Sequence, residues 1–280
     1  SEMCIRDSKN PQFPMGIGHE PVCVVEDVGS AVTCFRPGDL VTGVLSTCIA
    51  DYNVAANAQM IKIPETSKPI DACLGEPMMC VANIVRAVEP KMGDRVAVIG
   101  CGFMGLMVIA GLKSRALGDI VAIDLDEKRL EMAVQYGATK TINPKNVDVE
   151  DVSFELTHGR MYDCIVEITG SLRGLQTALS VAKISGRGKI LAPSVYSKNE
   201  TWTEEMAYNM MYRSPIIHVV HPYYTNEYMH TLEIGVEAYV KGVFPTEELI
   251  THRIPFERVD EGFRLLDTNP PGYIKGIITF

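Results

Sequence analysis

The chain has 280 residues, of which 46% are hydrophobic and 22% charged, and its formal net charge is −9. This balance suits one large or two ordinary globular domains, and the acidic excess, with no Lys/Arg block to offset it, excludes a general nucleic-acid binder. No apolar run is long enough to span a bilayer and no signal peptide is legible. The eight cysteines, at 4, 23, 34, 48, 73, 80, 101 and 164, are scattered without a Cys-x-x-Cys pair, which suits a reducing cytoplasm.

In chain order, Ser1–Ser8 fit no element and are set aside as an expected scar or translated non-coding stretch. From Gly18 to about Pro64, short β-like runs at Val22–Val28, Leu40–Val44 and Met60–Ile63 are separated by turn signals at Gly29-Ser30 and Pro37-Gly38-Asp39. They predict a small all-β unit. From about Met78 to Val220, strand-like runs at Arg95–Ile99, Asp119–Asp124, Asp163–Ile168, Lys189–Pro193 and Ile216–Val220 follow one another. Helical patterns at Phe103–Leu117, Asp126–Tyr136, Leu172–Ile184 and Glu204–Tyr212 alternate with them. That alternation predicts an α/β fold with a doubly wound parallel sheet. The tail Thr225–Phe280 reads helix, short strand, helix, strand and is expected to pack back on the β-rich unit.

The sharpest chemical signal is Gly100-Cys101-Gly102-Phe103-Met104-Gly105, which follows the β-branched run Arg95–Ile99 and opens an apolar helix pattern. In such a turn the first glycine makes the tight bend, the second lets backbone approach a pyrophosphate, and the third lets helix and strand pack closely. The amides at the helix start then face the negative charge. Asp124 closes the next strand 19 residues beyond Gly105, near the interval at which a carboxylate bonds the adenosine ribose. A 2′-phosphate would meet that carboxylate, so NAD is favoured over NADP, with Arg129 nearby as a partial offset.

These and four further segments resemble the medium-chain dehydrogenase/reductase family, in its zinc-dependent alcohol and polyol dehydrogenase branch. Gly18-His19-Glu20 with Val24–Gly29 and Phe35–Asp39 looks like the entry to a GroES-like catalytic domain. Glu76-Pro77-Met78-Met79-Cys80-Val81-Ala82-Asn83 resembles the Glu-Pro segment of the polyol and threonine dehydrogenases. Tyr162–Gly170 looks like the fourth Rossmann strand, and Leu249–His252, Phe263–Leu266 and Ile274–Phe280 resemble the usual C-terminal run. The resemblance implies a Rossmann NAD-binding domain over residues 78–222. It also implies a GroES-like β-rich catalytic domain, incomplete at its N-terminal side, over 9–77, with 223–280 returning to it. Coenzyme contacts are implied for Gly100, Gly102, Phe103, Met104, Gly105, Asp124, Arg129 and Thr169, with Lys275 at the pyrophosphate. Homodimers or homotetramers are usual in the family.

In this family a zinc-binding Cys, followed by a Ser or Thr of the proton relay, stands well upstream of Gly-His-Glu. That position would precede residue 1, and Cys4 is too close to His19 to be its equivalent, so the chain is expected to lack the first strands of that domain. Between Val41 and Ile61 there is only Cys48, and no structural zinc is expected. The candidate ligands of a catalytic zinc are His19, Glu76 and Glu20, with Glu20 either binding directly or supporting the site from behind. No catalytic residue is assigned beyond them. The activity implied is hydride transfer between a secondary alcohol or polyol and NAD. Two alternatives remain at this point. One is a zinc-free, NADPH-dependent reductase of the quinone type, against which His19 argues. The other is an NAD-binding fragment without turnover.

Overall fold

Parallel strands buried on both faces read as near-continuous apolar runs, and four such runs form the centre of the main sheet. A computed structural model describes residues 16–184, 186–196, 199–221 and 227–280. Ser1–Ser8, Cys4 and the expected boundaries at 9 and 222–223 lie outside the described residues. In chain order the elements are β1 (Val22–Val24), β2 (Leu40–Gly43), β3 (Met60–Lys62), α1 (Gly75–Val88), β4 (Arg95–Ile99), α2 (Phe103–Leu112), β5 (Asp119–Ile123) and α3 (Glu127–Tyr136). They continue with β6 (Lys140–Ile142), α4 (Val149–Leu156), β7 (Cys164–Glu167), α5 (Leu172–Val181), β8 (Lys189–Ala192), α6 (Glu204–Arg213) and β9 (Ile216–Val219). Last come α7 (Tyr228–Val240), the one-turn α8 (Thr246–Leu249), β10 (Ile250–Pro255), α9 (Val259–Thr268) and β11 (Lys275–Thr279). None of the helices among the described residues is long and apolar enough to cross a membrane.

The chain forms two compact units, residues 83–221 and the described residues of 16–82 with 227–280. The α/β unit holds a six-stranded sheet in the order β6-β5-β4-β7-β8-β9, every pair parallel. The reversal of winding lies between β4 and β7, where doubly wound sheets place their ligands at the carboxyl edge. Ala97, Ile99, Val121, Ile123, Ile165 and Ile190 are all at most 4% exposed and pack with Leu175, Ala178 and Leu179 of α5. Side chains start most helices here: Asp126 accepts from the amides of Lys128 and Arg129, Ser171 from that of Gly174, and Thr203 from that of Met206.

The other unit is built from less. β1, β2 and β3 make an antiparallel sheet in sequence order, over a small core of Val41, Leu45 and Met60. β10 and β11 form a parallel pair with α9 against it. α7 seats on α1, where a Cβ at Gly235 would lie 2.7 Å from the carbonyl oxygen of Met78. Tyr239 of α7 donates to the carbonyl of Pro69 at 2.7 Å.

Three expected elements are shorter than their apolar pattern. β1 stops at Val24, and beyond it only single hydrogen bonds link Val25 to Asp39 and to Gly38. The helix expected to reach Leu117 ends at Leu112, where the Lys113 amide is shared between the Ile109 and Ala110 carbonyls. The one expected to reach Ile184 ends at Val181 because Ala182 turns to extended backbone, φ −69 and ψ 137. Four elements were not anticipated: α1, β6, α4 and the one-turn α8.

Candidate functional site

The glycine turn sits at the carboxyl end of β4. Gly100 has φ +100, a conformation open to glycine at little cost. A Cβ on Gly105 would lie 1.9 Å from the Gly100 carbonyl oxygen, so α2 packs against the turn more closely than a larger residue allows. Above Gly102 there is open space, with nothing within 4 Å of the Cβ position, and α2 has no side-chain cap. Phe103, Met104 and Gly105 form its first turn, and a helix N-terminus at such a turn suits an anion.

Asp124 follows β5 directly. Its Oδ2 accepts from the Cys101 amide at 2.6 Å and its Oδ1 from the Asp126 amide at 2.8 Å. The carboxylate thus braces the glycine turn, and each oxygen keeps a second lone pair for a hydroxyl. Arg129 lies on α3, half-buried, one turn into that helix. Thr169, just beyond β7, packs against the turn: a Cβ on Gly100 would come 3.0 Å from Thr169 Cγ2.

Behind Thr169 stands Glu167, a fully buried carboxylate that sequence reading did not single out. It accepts from the Thr169 amide at 2.9 Å, from the Thr169 hydroxyl at 2.5 Å and from the Tyr196 hydroxyl at 2.5 Å. Burial raises its pKa above the ordinary carboxylate value, only partly countered by these three donors.

In the β-rich unit, His19, Glu20 and Glu76 come together. One ligand atom from each lies within 4.8 Å of the other two, and His19 Nε2 is 3.6 Å from Glu76 Oε1. Two ligands of a tetrahedral zinc stand about 3.4 Å apart, so the His19–Glu76 pair already has nearly the required separation. Glu20 needs a shift of only side-chain size. A nitrogen and two carboxylate oxygens are a donor set that zinc accepts at an open, three-ligand site.

Long-range contacts hold this arrangement. Thr42, fully buried on β2, donates its hydroxyl to the carbonyl of Pro21 at 2.8 Å and accepts from the Gly75 amide at 2.9 Å. One side chain thereby clips the segment after Glu20 to the first turn of α1, which carries Glu76. Lys275, on β11, makes an ion pair with Glu20 Oε2. Burial opposes the charged form of Glu20, but the Lys275 ammonium prevails and its pKa lies below the ordinary value. Lys275, expected from the resemblance at the coenzyme pyrophosphate, is here paired with a carboxylate of the candidate donor cluster. One turn along α1 from Glu76, the Cys80 thiol donates to Glu76 Oε1 at 3.4 Å. Neither Thr42 nor Cys80 was anticipated as part of the site. Cys48 lies close by and its thiol is pushed up to about 11, chiefly by burial. His252 pairs its Nδ1 with the Thr251 hydroxyl at 2.8 Å and packs against the Tyr273 ring.

Comparison with known proteins gives the following. Residues 104–215 match the family model described as zinc-binding dehydrogenase. Alcohol dehydrogenase 1 of Pisum sativum is 26% identical, over 91% of this chain and 80% of its own length. L-threonine 3-dehydrogenase of Bacillus subtilis (strain 168) is also 26% identical, over 93% of this chain and 81% of its own length. Among solved structures, an oxidoreductase/dehydrogenase of unknown specificity from Escherichia coli shares the fold with a TM-score of 0.83. It is 24% identical, covering 98% of this chain and 84% of that one.

Proposed function

We infer that this chain, a relative of the zinc-type alcohol and polyol dehydrogenases, transfers hydride between a secondary alcohol or polyol-type substrate and NAD. It would do so with a catalytic zinc held by His19, Glu76 and Glu20. The observation that carries the reading is the donor cluster itself: three ligand atoms within 4.8 Å, in a chain that also has an uncapped glycine turn backed by a carboxylate. The chemistry supplied with both groups bound is Lewis-acid polarisation of the substrate oxygen and a nicotinamide acceptor for the hydride.

The chain's own residues have distinct parts in this reading. His19 offers the Nε2 lone pair, and Glu76 offers Oε1. Glu20 keeps its charge through Lys275, which holds one oxygen and leaves the other for the cation. Gly100, Gly102 and Gly105 shape the turn for the pyrophosphate, the amides of Phe103 and Met104 face it, and Thr169 supports it from the neighbouring strand. Asp124 accepts the ribose hydroxyls and disfavours a 2′-phosphate, with Arg129 beside it. The family resemblance also proposes Lys275 as a contact of the pyrophosphate.

The β-rich residues 9–77 with 223–280 are read as a GroES-like catalytic domain, and 78–222 as the coenzyme domain. A homodimer or homotetramer is proposed, supported by β9, an edge strand whose four residues are all exposed, Ile216, Ile217 and Val219 among them. The scattered free cysteines suit a cytoplasmic location. The test is metal analysis of the purified chain, followed by steady-state oxidation of a panel of secondary alcohols, diols and polyols with each coenzyme. About one zinc per chain and faster turnover with NAD are expected. A clear NADP preference would remove the Asp124 argument, and turnover by metal-free protein would favour the zinc-free, quinone-type reading.

A further inference from the structure

We propose that Cys80 is a positioning residue for the metal cluster, its thiol holding the Glu76 oxygen that the cation would meet; this rests on the zinc reading above. Positions 76 and 80 are four apart on α1, so their side chains stand one above the other on one face. Cys80 Sγ lies 3.4 Å from Glu76 Oε1. That same oxygen lies 3.6 Å from His19 Nε2. It therefore has both a thiol donor and the imidazole as neighbours. A glutamate side chain with three free torsions loses much rotamer freedom when it binds an ion. A fixed donor reduces that loss in advance. Hydrogen bonds from such outer partners commonly alter metal affinity by about ten- to a hundredfold.

The geometry points to a partner of the ligand rather than to a ligand. Zinc about 2.3 Å from sulfur and 2.1 Å from nitrogen would need those two atoms about 3.6 Å apart. The set of donors lying mutually within 4.8 Å comprises His19, Glu20 and Glu76 and leaves Cys80 out. Cys80 touches the cluster through Glu76 Oε1. Its contact with that oxygen also differs from the setting of Cys73, Cys101 and Cys164, which are buried in the packed interior.

The experiment compares the full chain with C80A and C80S. Zinc affinity is measured by competition with a chromophoric chelator, and cobalt is substituted as a spectroscopic probe. The expected result is a roughly ten- to hundredfold weaker affinity for C80A, with most of the loss recovered in C80S, whose hydroxyl also donates. The cobalt ligand-field bands shift in C80A and return in C80S, while the metal-free melting temperatures of all three agree. Equal affinity in C80A and wild type overturns the proposal. So does a C80S as weak as C80A, which would assign the effect to packing. An intense near-ultraviolet sulfur-to-cobalt band in the wild type, abolished in C80S, would make Cys80 a ligand and also overturn it. A wild-type chain that takes up neither metal overturns the zinc reading first, and is told apart from the other failures by the wild-type titration alone.

Discussion

The two units build their candidate sites in opposite ways. In the α/β unit the site is made of backbone, a turn of glycines and the first amides of a helix, and its parts lie within a few residues of one another. In the β-rich unit the site is made of side chains from positions 19, 20, 76 and 80, clipped by Thr42 and joined by Lys275. The first rests on a large core of parallel strands at most a few per cent exposed, the second on three short strands over Val41, Leu45 and Met60. A backbone site tolerates change in side chains that do not touch the turn. A side-chain site depends on contacts from remote parts of the chain and has little core to resist their loss.

The largest effect should come from filling the space between α2 and the turn. A valine at Gly105 would overlap the Gly100 carbonyl, 1.9 Å from the Cβ position, and an overpacked contact costs about 1–3 kcal/mol. NADH binding to G105V, followed by fluorescence titration, should be lost, while zinc uptake persists. Loss of both together would break the distinction drawn here. Next is His19→Gln, which removes the nitrogen donor. Zinc affinity should fall about a hundredfold or more, equivalent to roughly 3 kcal/mol, with NADH binding and metal-free stability unchanged.

Thr42→Val keeps the shape of a buried residue but removes both hydrogen bonds of the clip. Leaving the Pro21 carbonyl and the Gly75 amide without it should cost about 1–3 kcal/mol in chemical unfolding and weaken zinc binding as well. An unfolding curve that matches wild type would show that α1 is seated by packing alone. The smallest effect concerns Glu167. Its folded-state pKa is raised by burial, so the folded protein holds this proton more tightly than the unfolded chain. Its contribution is therefore favourable at low pH and is lost as pH rises from the unfolded carboxylate value through the folded one. Glu167→Gln removes that titration. Denaturant midpoints measured across this window should show wild type losing stability relative to E167Q as pH increases, and parallel curves would mean that Glu167 titrates normally.

What could be read from the sequence follows the same division. Gly100, Gly102, Gly105 and Asp124 were found because strand, turn, helix and carboxylate are close in the chain and each has a local pattern. The relatives and the zinc-binding dehydrogenase match bear out the family resemblance drawn from these residues together with four further segments. His19 and Glu76 came from that resemblance rather than from periodicity, since they are 57 positions apart. Helix α1 was missed because Gly75 and Pro77 read as breakers, although proline is tolerated in a first helical turn where the amide has no partner. Once α1 is placed, the i, i+4 spacing of Glu76 and Cys80 is a usable signal. Thr42 had none: a threonine in a strand is ordinary, and its two partners are 21 and 33 positions away. Three-residue β6 is too short for any alternation to register, and the Asp148 cap that starts α4 by accepting from the Asp151 amide was overlooked.

The bond between Lys275 and Glu20 spans 255 positions, and every residue of the α/β unit lies between its two ends. During synthesis on the ribosome the whole of that intervening unit emerges, and can collapse as a contiguous piece, before the ammonium partner of Glu20 exists. The nascent chain thus carries Glu20 before its Lys275 counter-charge, and the candidate donor cluster gains its last partner after the contiguous unit has emerged.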